Sequence, residues 1–402
     1  MNITGRLWFR RIVLGTATII LLALIVHPVL NALIQTNDPA AELSTFEKAP
    51  IPDQENAARW LEAGAGAVVW SKEDKQVIGK ATMSPFTRWE ADLEERVRAV
   101  IENHRGAIAT LNKAIGLDQS SYLIRYSQGN QSEVPDCVPL IWSARFLLVE
   151  ARLGFGSCEP DEGFRATATL ERLASTLDEE STIVTVLIGA ATERMLLIVA
   201  TEFITTDSPY RISNDDLERL EATIPKISIE DALRRTIMVE TGFARLELVK
   251  SDIPADENAT KDAQILDLRQ HLLDLVDMPY SESKAQLENL GQGPIPNDDH
   301  PARGVDMYRN VFGRAKAITA HRQLLRALIH LRRHAADHGS YPEKASDIHD
   351  LATPNPVTNE PIRYTRNTDG SVTLEIVGAR ELLETAMPMA LETLDPVTLP
   401  SP

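Results

Sequence analysis

"STIVTVLIGAATERMLLIVA", residues Ser181–Ala200, is apolar on nearly every face of a helix. A helix with one apolar stripe lies on a surface, whereas one that is apolar all round lies inside a bundle. The stretch therefore predicts a helix over 180–205 at the centre of a helical body. Glu193 and Arg194 interrupt it. Charges at such a position need partners, because an unpaired buried ion is strongly destabilising. Glu150, Arg145 and Arg152, on a helix expected over 138–153, are the partners this reading supplies. A rival reading makes Glu150 and Glu193 a catalytic couple, as two carboxylates cleave glycans. The ion-pair reading is the expectation. The two differ measurably, since a desolvated glutamate without a compensating arginine has a raised pKa.

Working outward, Ala, Leu, Glu and Arg are plentiful and aromatics make up only 5% of the 402 residues, a balance that favours helices over sheets. Further helices are expected at 160–177, 213–224, 228–252 and 258–277. Ser228 and Asp231 form a capping-box-like start for the third of these. Short connections imply antiparallel neighbours. Upstream, "SPFTRWEADLEERVRAVIENHRGAIATLNKAIG" reads as one helix from an N-cap at Ser84 to Gly116, with a stripe through Trp89, Leu93, Val97, Val100, Ile101, Ile108 and Leu111. Met278–Gly304 reads as a long loop with one short helix, before a last helix that ends near residue 338. No fixed repeat period emerges. The fold class is mainly α: an antiparallel bundle or irregular α-solenoid over 57–338.

At the other end of the chain, Ile12–Ile34 contains no charged residue apart from the titratable His27. At about 1.5 Å per residue the run spans a hydrocarbon core of about 30 Å. Arg6, Arg10 and Arg11 precede it and Asp38 is the first carboxylate after it, so the positive-inside rule puts residues 1–11 in the cytoplasm and the bulk outside. A cleaved signal peptide with Ile12–Val26 as its apolar region is the alternative. The lack of an Ala-x-Ala-like site and the apolar extension Val29–Ile34 favour a retained transmembrane helix over 12–34. Residues 35–56, with three prolines, read as an extended polar linker. Without the three leading arginines, 38 basic residues face 58 acidic ones, a formal charge of −20 outside the membrane. Such a surface repels nucleic acid.

"NPVTNEPIRYTRNTDGSVTLEIVG", residues Asn355–Gly378, is the one stretch that does not read as helix. Pairing Arg366 with Val372, Tyr364 with Leu374 and Ile362 with Ile376 puts the apolar side chains on one face. It leaves Thr368-Asp369-Gly370 as the loop, with Gly370 in the left-handed position. A lone hairpin is unstable, so this one must pack on the last helix, with Tyr341, Pro342 and Ile348 beneath it. The expected subdomain covers 339–378, followed by a tail over 379–402.

The order of "ARFLLVEARLGFG", "FRATATLERLASTL", the apolar central helix and a "HGSYPEKASDI…NPVTNEPIRYTRNTDGSVTLEIVG" ending resembles a loose group of uncharacterised, single-pass, membrane-anchored bacterial helical proteins. The ending, with Gly-x-Tyr-Pro at Gly339–Pro342, is also similar to the C-terminal half of type II secretion pseudopilins. In similar sequences the turn is commonly Asp-Pro-x-Thr-Gly; here Asn355 and Asn359 stand in for the Asp and Gly. No acidic calcium-binding loop follows Gly378, and the anchor has no prepilin processing site. The resemblance implies a fold and an address in the bacterial inner membrane, with the bulk periplasmic. It implies no activity.

The remaining motifs have bland readings. His330, His334 and His338 recur at i, i+4 and i+8, and two such histidines, His330 and His334 for instance, can share a metal. Yet the apolar stripe lies on the other side of that helix, and Arg332 and Arg333 would repel a cation. Ser281-x-x-Lys284 matches the nucleophile motif of penicillin-binding proteins without its companion elements. Cys137 and Cys158 fall at opposite ends of one expected helix, which predicts two unpaired thiols. No cofactor fingerprint is present. The expectation is a membrane-anchored, non-catalytic scaffold or protein-interaction module of the cell envelope, with an envelope protein as partner. The alternative is a hydrolase or lyase acting on an envelope polymer through buried carboxylates.

Overall fold

The computed structural model describes residues 38–206, 211–290, 301–383 and 395–402. The expected membrane helix over 12–34 lies outside the described residues. The remainder is mainly helical, with a small antiparallel sheet near the C-terminus.

The first described element corrects the linker reading. Residues 39–44 form a short helix, α1 (Pro39–Ser44), capped by Asp38, with Glu42 and Leu43 buried. Leu43 sits where Gly242 leaves room, since a Cβ at 242 would come within 2.8 Å of it. After α1 come α2 (Ala57–Ala67), α3 (Lys72–Thr82), α4 (Ala91–Asn103) and α5 (Arg105–Leu111).

The long helix expected over 84–116 is broken in two places. Pro85 is extended and Phe86–Arg88 form a 3-10 turn, so the N-cap falls at Glu90 instead of Ser84. Phe86 presses against Gly156, where an added Cβ would lie 2.0 Å from its ring, and Trp89 Nε1 donates to the Ser84 carbonyl at 2.9 Å. At His104 the chain leaves one helix and starts the next. That ring packs 5.5 Å from Trp70 and 5.9 Å from Phe146, with Asp74 3.6 Å away. Local packing thus overrides a continuous pattern. The apolar stripe itself holds: Leu93, Val97, Val100, Ile108 and Leu111 are buried.

The centre is α6 (Cys137–Gly156), α7 (Pro160–Asp178) and α8 (Ile183–Thr205), joined by short turns and packed on one another. Small residues let α6 and α7 approach, since a Cβ on Gly154 would meet the Gly163 amide at 2.5 Å. By length and composition α8 could cross a membrane, yet most of its apolar stretch is buried within the body, as an all-round apolar helix requires. Then follow α9 (Asn214–Ala222), α10 (Ile229–Lys250), α11 (Ala255–Val276) and α12 (Tyr280–Leu290). The last falls in the stretch 278–304, where a long loop with one short helix is expected, and 301–304 already belong to the next helix. Helix α13 (Pro301–His338) runs back across α8 and α10 and ends at Gly339, φ 71°. Cys137 and Cys158 are free thiols at the two ends of α6.

After α13 come α14 (His349–Ala352) and the strands β1 (Arg363–Arg366) and β2 (Val372–Glu375). The pairs Arg366↔Val372 and Tyr364↔Leu374 match the expected register, and Gly370 takes φ 84°. Asn355 accepts from the Val357 and Thr358 amides at 3.0 Å each, and Asn359 adopts φ 64°, a conformation asparagine tolerates. Helix α15 (Ala379–Leu383) follows, and β3 (Val397–Leu399) pairs with β2. The sheet is therefore three-stranded in the order β1-β2-β3. The residues read as a tail complete the subdomain, and Tyr341 fastens them by donating its hydroxyl to the Pro400 carbonyl at 2.9 Å.

Candidate functional site

Glu193 is fully buried, with no exposed surface. Its partner is Arg322 of α13, which corrects the expectation of Arg145 or Arg152. The guanidinium grips both carboxylate oxygens, through Nε and, at 2.7 Å, through Nη2, while Nη1 donates to the Ile227 carbonyl at 2.8 Å. Burial pushes the Glu193 carboxyl up, and the Arg322 hydrogen bond and charge oppose that rise. Arg152 serves another carboxylate, Glu202, at 2.6 Å and 2.8 Å, and caps the carbonyls of Ala81 and Thr82.

The second buried acid beside Glu193 is Asp178, the last residue of α7. It has no exposed surface, and neither carboxylate oxygen has a hydrogen-bond partner. It lies flat on the α8 backbone: a Cβ on Gly189 would come within 2.3 Å of its Oδ1. Arg235 of α10 reaches this corner but spends Nη2 on the Asp178 main-chain carbonyl, at 2.7 Å. Nearby, Glu230 accepts from Thr319 at 2.8 Å and faces Lys316 at 3.8 Å. Helices α7, α8, α10 and α13 thus meet at one polar junction.

Glu150 keeps different company. It is only partly covered, with its Oε2 buried and unpartnered. Burial pushes its carboxyl up to about 7; Glu162 adds to the rise, while Arg165 and Arg105 oppose it. In place of the rival Glu150–Glu193 couple stands an Asp178–Glu193 neighbourhood, with Glu150 among other charges.

The histidine row is engaged in structure. His330 Nδ1 lies 2.8 Å from Asp350, whose hydrogen bond raises its pKa. His334 Nδ1 lies 3.0 Å from the Ser340 carbonyl and His338 Nδ1 3.0 Å from the His334 carbonyl. A carbonyl only accepts, so both Nδ1 atoms carry the proton. The last two rings stack, 4.2 Å between centroids. Among the described residues no three His, Cys, Asp or Glu side chains gather in a metal-holding group. Lys284 donates to the Leu382 carbonyl at 3.2 Å, and the Ser281 amide donates to the Val357 carbonyl at 2.9 Å.

Two features escaped sequence reasoning. His321 is buried in α13, 3.1 Å from the Thr201 hydroxyl, and burial pushes it down to about 3, so it is a neutral core histidine. Glu42 of α1 binds Arg245 at 2.9 Å and Arg269 at 2.5 Å, and Asp262 holds Arg245 from its other edge at 2.7 Å. All four charges sit in or beside the core, and only the partner geometry reveals them.

A groove of about 690 Å³ opens between α7, α9 and the Asn112–Ile115 turn. Phe164, Ala168 and Ala222 line it, with Arg165, Glu171 and Arg219 at the sides. Arg219 lies 4.0 Å over the Phe164 ring and binds Asp161 at 2.8 Å. The enclosed space beside Arg152 and Glu202 is about 40 Å³, room for little more than a water.

No family model matches the chain, and neither does any curated protein or solved structure.

Proposed function

We propose that the protein is a membrane-anchored scaffold or protein-interaction module of the bacterial cell envelope, held by residues 12–34 with its body outside the cytoplasm. The observation that carries this reading is the contrast between the buried charges and the groove. Glu193 and Glu42 each spend their carboxylates on arginines from other helices, buried out of reach of any substrate. The groove by contrast is open, lined by apolar and charged side chains and rimmed by charges of both signs, which suits a polypeptide segment docking between helices. The resemblance to anchored helical proteins and to the pseudopilin ending supports the same address.

A photoreactive side chain at Ile115, in the full-length chain in native membranes, should trap one specific envelope polypeptide. Arg165→Glu with Arg219→Glu should abolish that adduct without loss of secondary structure. An adduct indifferent to these changes, or none, refutes the groove. Protease added to intact spheroplasts should digest the body; survival of the body would refute the address.

The unpartnered Glu150 oxygen favours one second reading, a hydrolase or lyase acting on an envelope polymer. A carboxyl near neutrality suits a general acid. Under that reading Glu150→Gln abolishes polymer cleavage and leaves thermal stability unaltered.

A further inference from the structure

We propose that Asp178 is a proton-binding switch: its un-ionised carboxyl closes the junction of α7, α8, α10 and α13, and release of its proton loosens that junction. The geometry leaves a charge nowhere to go. Both oxygens are buried without a donor, and one lies against the α8 backbone at Gly189, where only the missing side chain makes room. The groups facing it are Glu193 of α8, Arg322 of α13, Arg235 of α10 and Glu179 just beyond its own helix.

Both arginines attract a negative charge there, yet neither hydrogen-bonds to the carboxylate. Arg322 directs its bonds to Glu193 and the Ile227 carbonyl, and Arg235 hydrogen-bonds to the Asp178 main chain. Glu193 and Glu179 repel a negative charge there. Asp178 also sits at the C-terminal end of α7, where the helix dipole disfavours an anion. Burial, with Glu193 beside it, holds the carboxyl well above the usual range.

The event is a simple dissociation: the O–H bond breaks, its electron pair stays on Asp178 and the proton goes to water. The folded state holds the proton more tightly than the unfolded chain does. Stability is therefore complete below the unfolded aspartate value, about 3.9, and is lost as pH rises toward the folded value. Over that window one proton makes unfolding about tenfold more favourable per pH unit.

The test is equilibrium unfolding of the full chain in detergent micelles against pH, wild type beside Asp178→Asn. The expected result is a pH slope shallower by one proton in the variant. Amides of 176–183 should also exchange faster at alkaline pH, after correction for intrinsic rates, in the wild type alone. Equal slopes overturn the proposal. Should the variant fail to fold, ¹³C-carboxyl aspartate labelling of the wild type decides: one carboxyl titrating well above the other aspartates is expected, and none refutes the switch.

Discussion

Removing Arg322 strips Glu193 of both its hydrogen bonds in a site with no exposed surface. Breaking a buried pair from one side costs about 3–5 kcal/mol, because the remaining charge is left uncompensated. Arg322→Met keeps much of the side-chain volume and should therefore lower stability by about that amount. At roughly 2–4 °C per kcal/mol for a domain of about 150–250 residues, and less for a longer chain, Tm falls by on the order of 5–15 °C. The sign with pH follows. Without Arg322 the folded pKa of Glu193 rises further, so the variant's contribution from this group is greatest in acid and is lost as pH rises. The deficit relative to wild type should shrink as pH falls toward the unfolded glutamate value of about 4.3. Adding Glu193→Leu removes the stranded charge and should recover most of the loss, since apolar replacements of buried pairs are often neutral or better. Circular dichroism melts and urea titrations of the wild type and the two variants measure all of this. An Arg322→Met deficit below about 1 kcal/mol, the range of an exposed pair, or one constant with pH, would refute the reasoning.

Gly189→Ala should destabilise by about 1–3 kcal/mol through overpacking against Asp178, despite alanine's better helix propensity, as a denaturant midpoint will show. Glu42→Ala takes the carboxylate from Arg269 and leaves Arg245 to Asp262 alone, and should both lower Tm and open residues 45–52 to limited proteolysis. Gly370→Ala places a Cβ at φ 84° and should cost about 1–2 kcal/mol, read as a shift in the urea midpoint. His330 gains stability from Asp350 that is full below its unfolded value, about 6.5, and lost as pH rises through its raised folded value. Asp350→Asn should flatten that part of the stability profile.

Helices α6 to α11 were legible because each carries enough turns for its apolar period to set its limits within a few residues. The hairpin register was legible because alternation and Gly370 specify it together. What local pattern could not supply was the long-range partner. Glu193 announced a need for a cation, but Arg322 lies in a helix far along the chain whose own pattern gives no hint of that duty. Asp178 ends a helix beside two glutamates, with no local sign of burial; the close approach of Gly189 helps to bury it. α1 was hidden by its brevity and its proline, and β3 by its separation from the hairpin. In both cases tertiary contacts, not periodicity, hold the segment in place.

The Glu42 clamp limits how the body can move. Between Ile34, where the apolar run ends, and Asp38, where the described fold starts, stand only Gln35, Thr36 and Asn37. Four peptide steps reach at most about 14 Å even when pulled straight. Under the proposed anchoring of residues 12–34, the described body would start within about that distance of the bilayer. A companion rooted in the same sheet of lipid would then have to offer its contact surface at that altitude, and inserting residues between Ile34 and Asp38 would break the encounter without touching either surface.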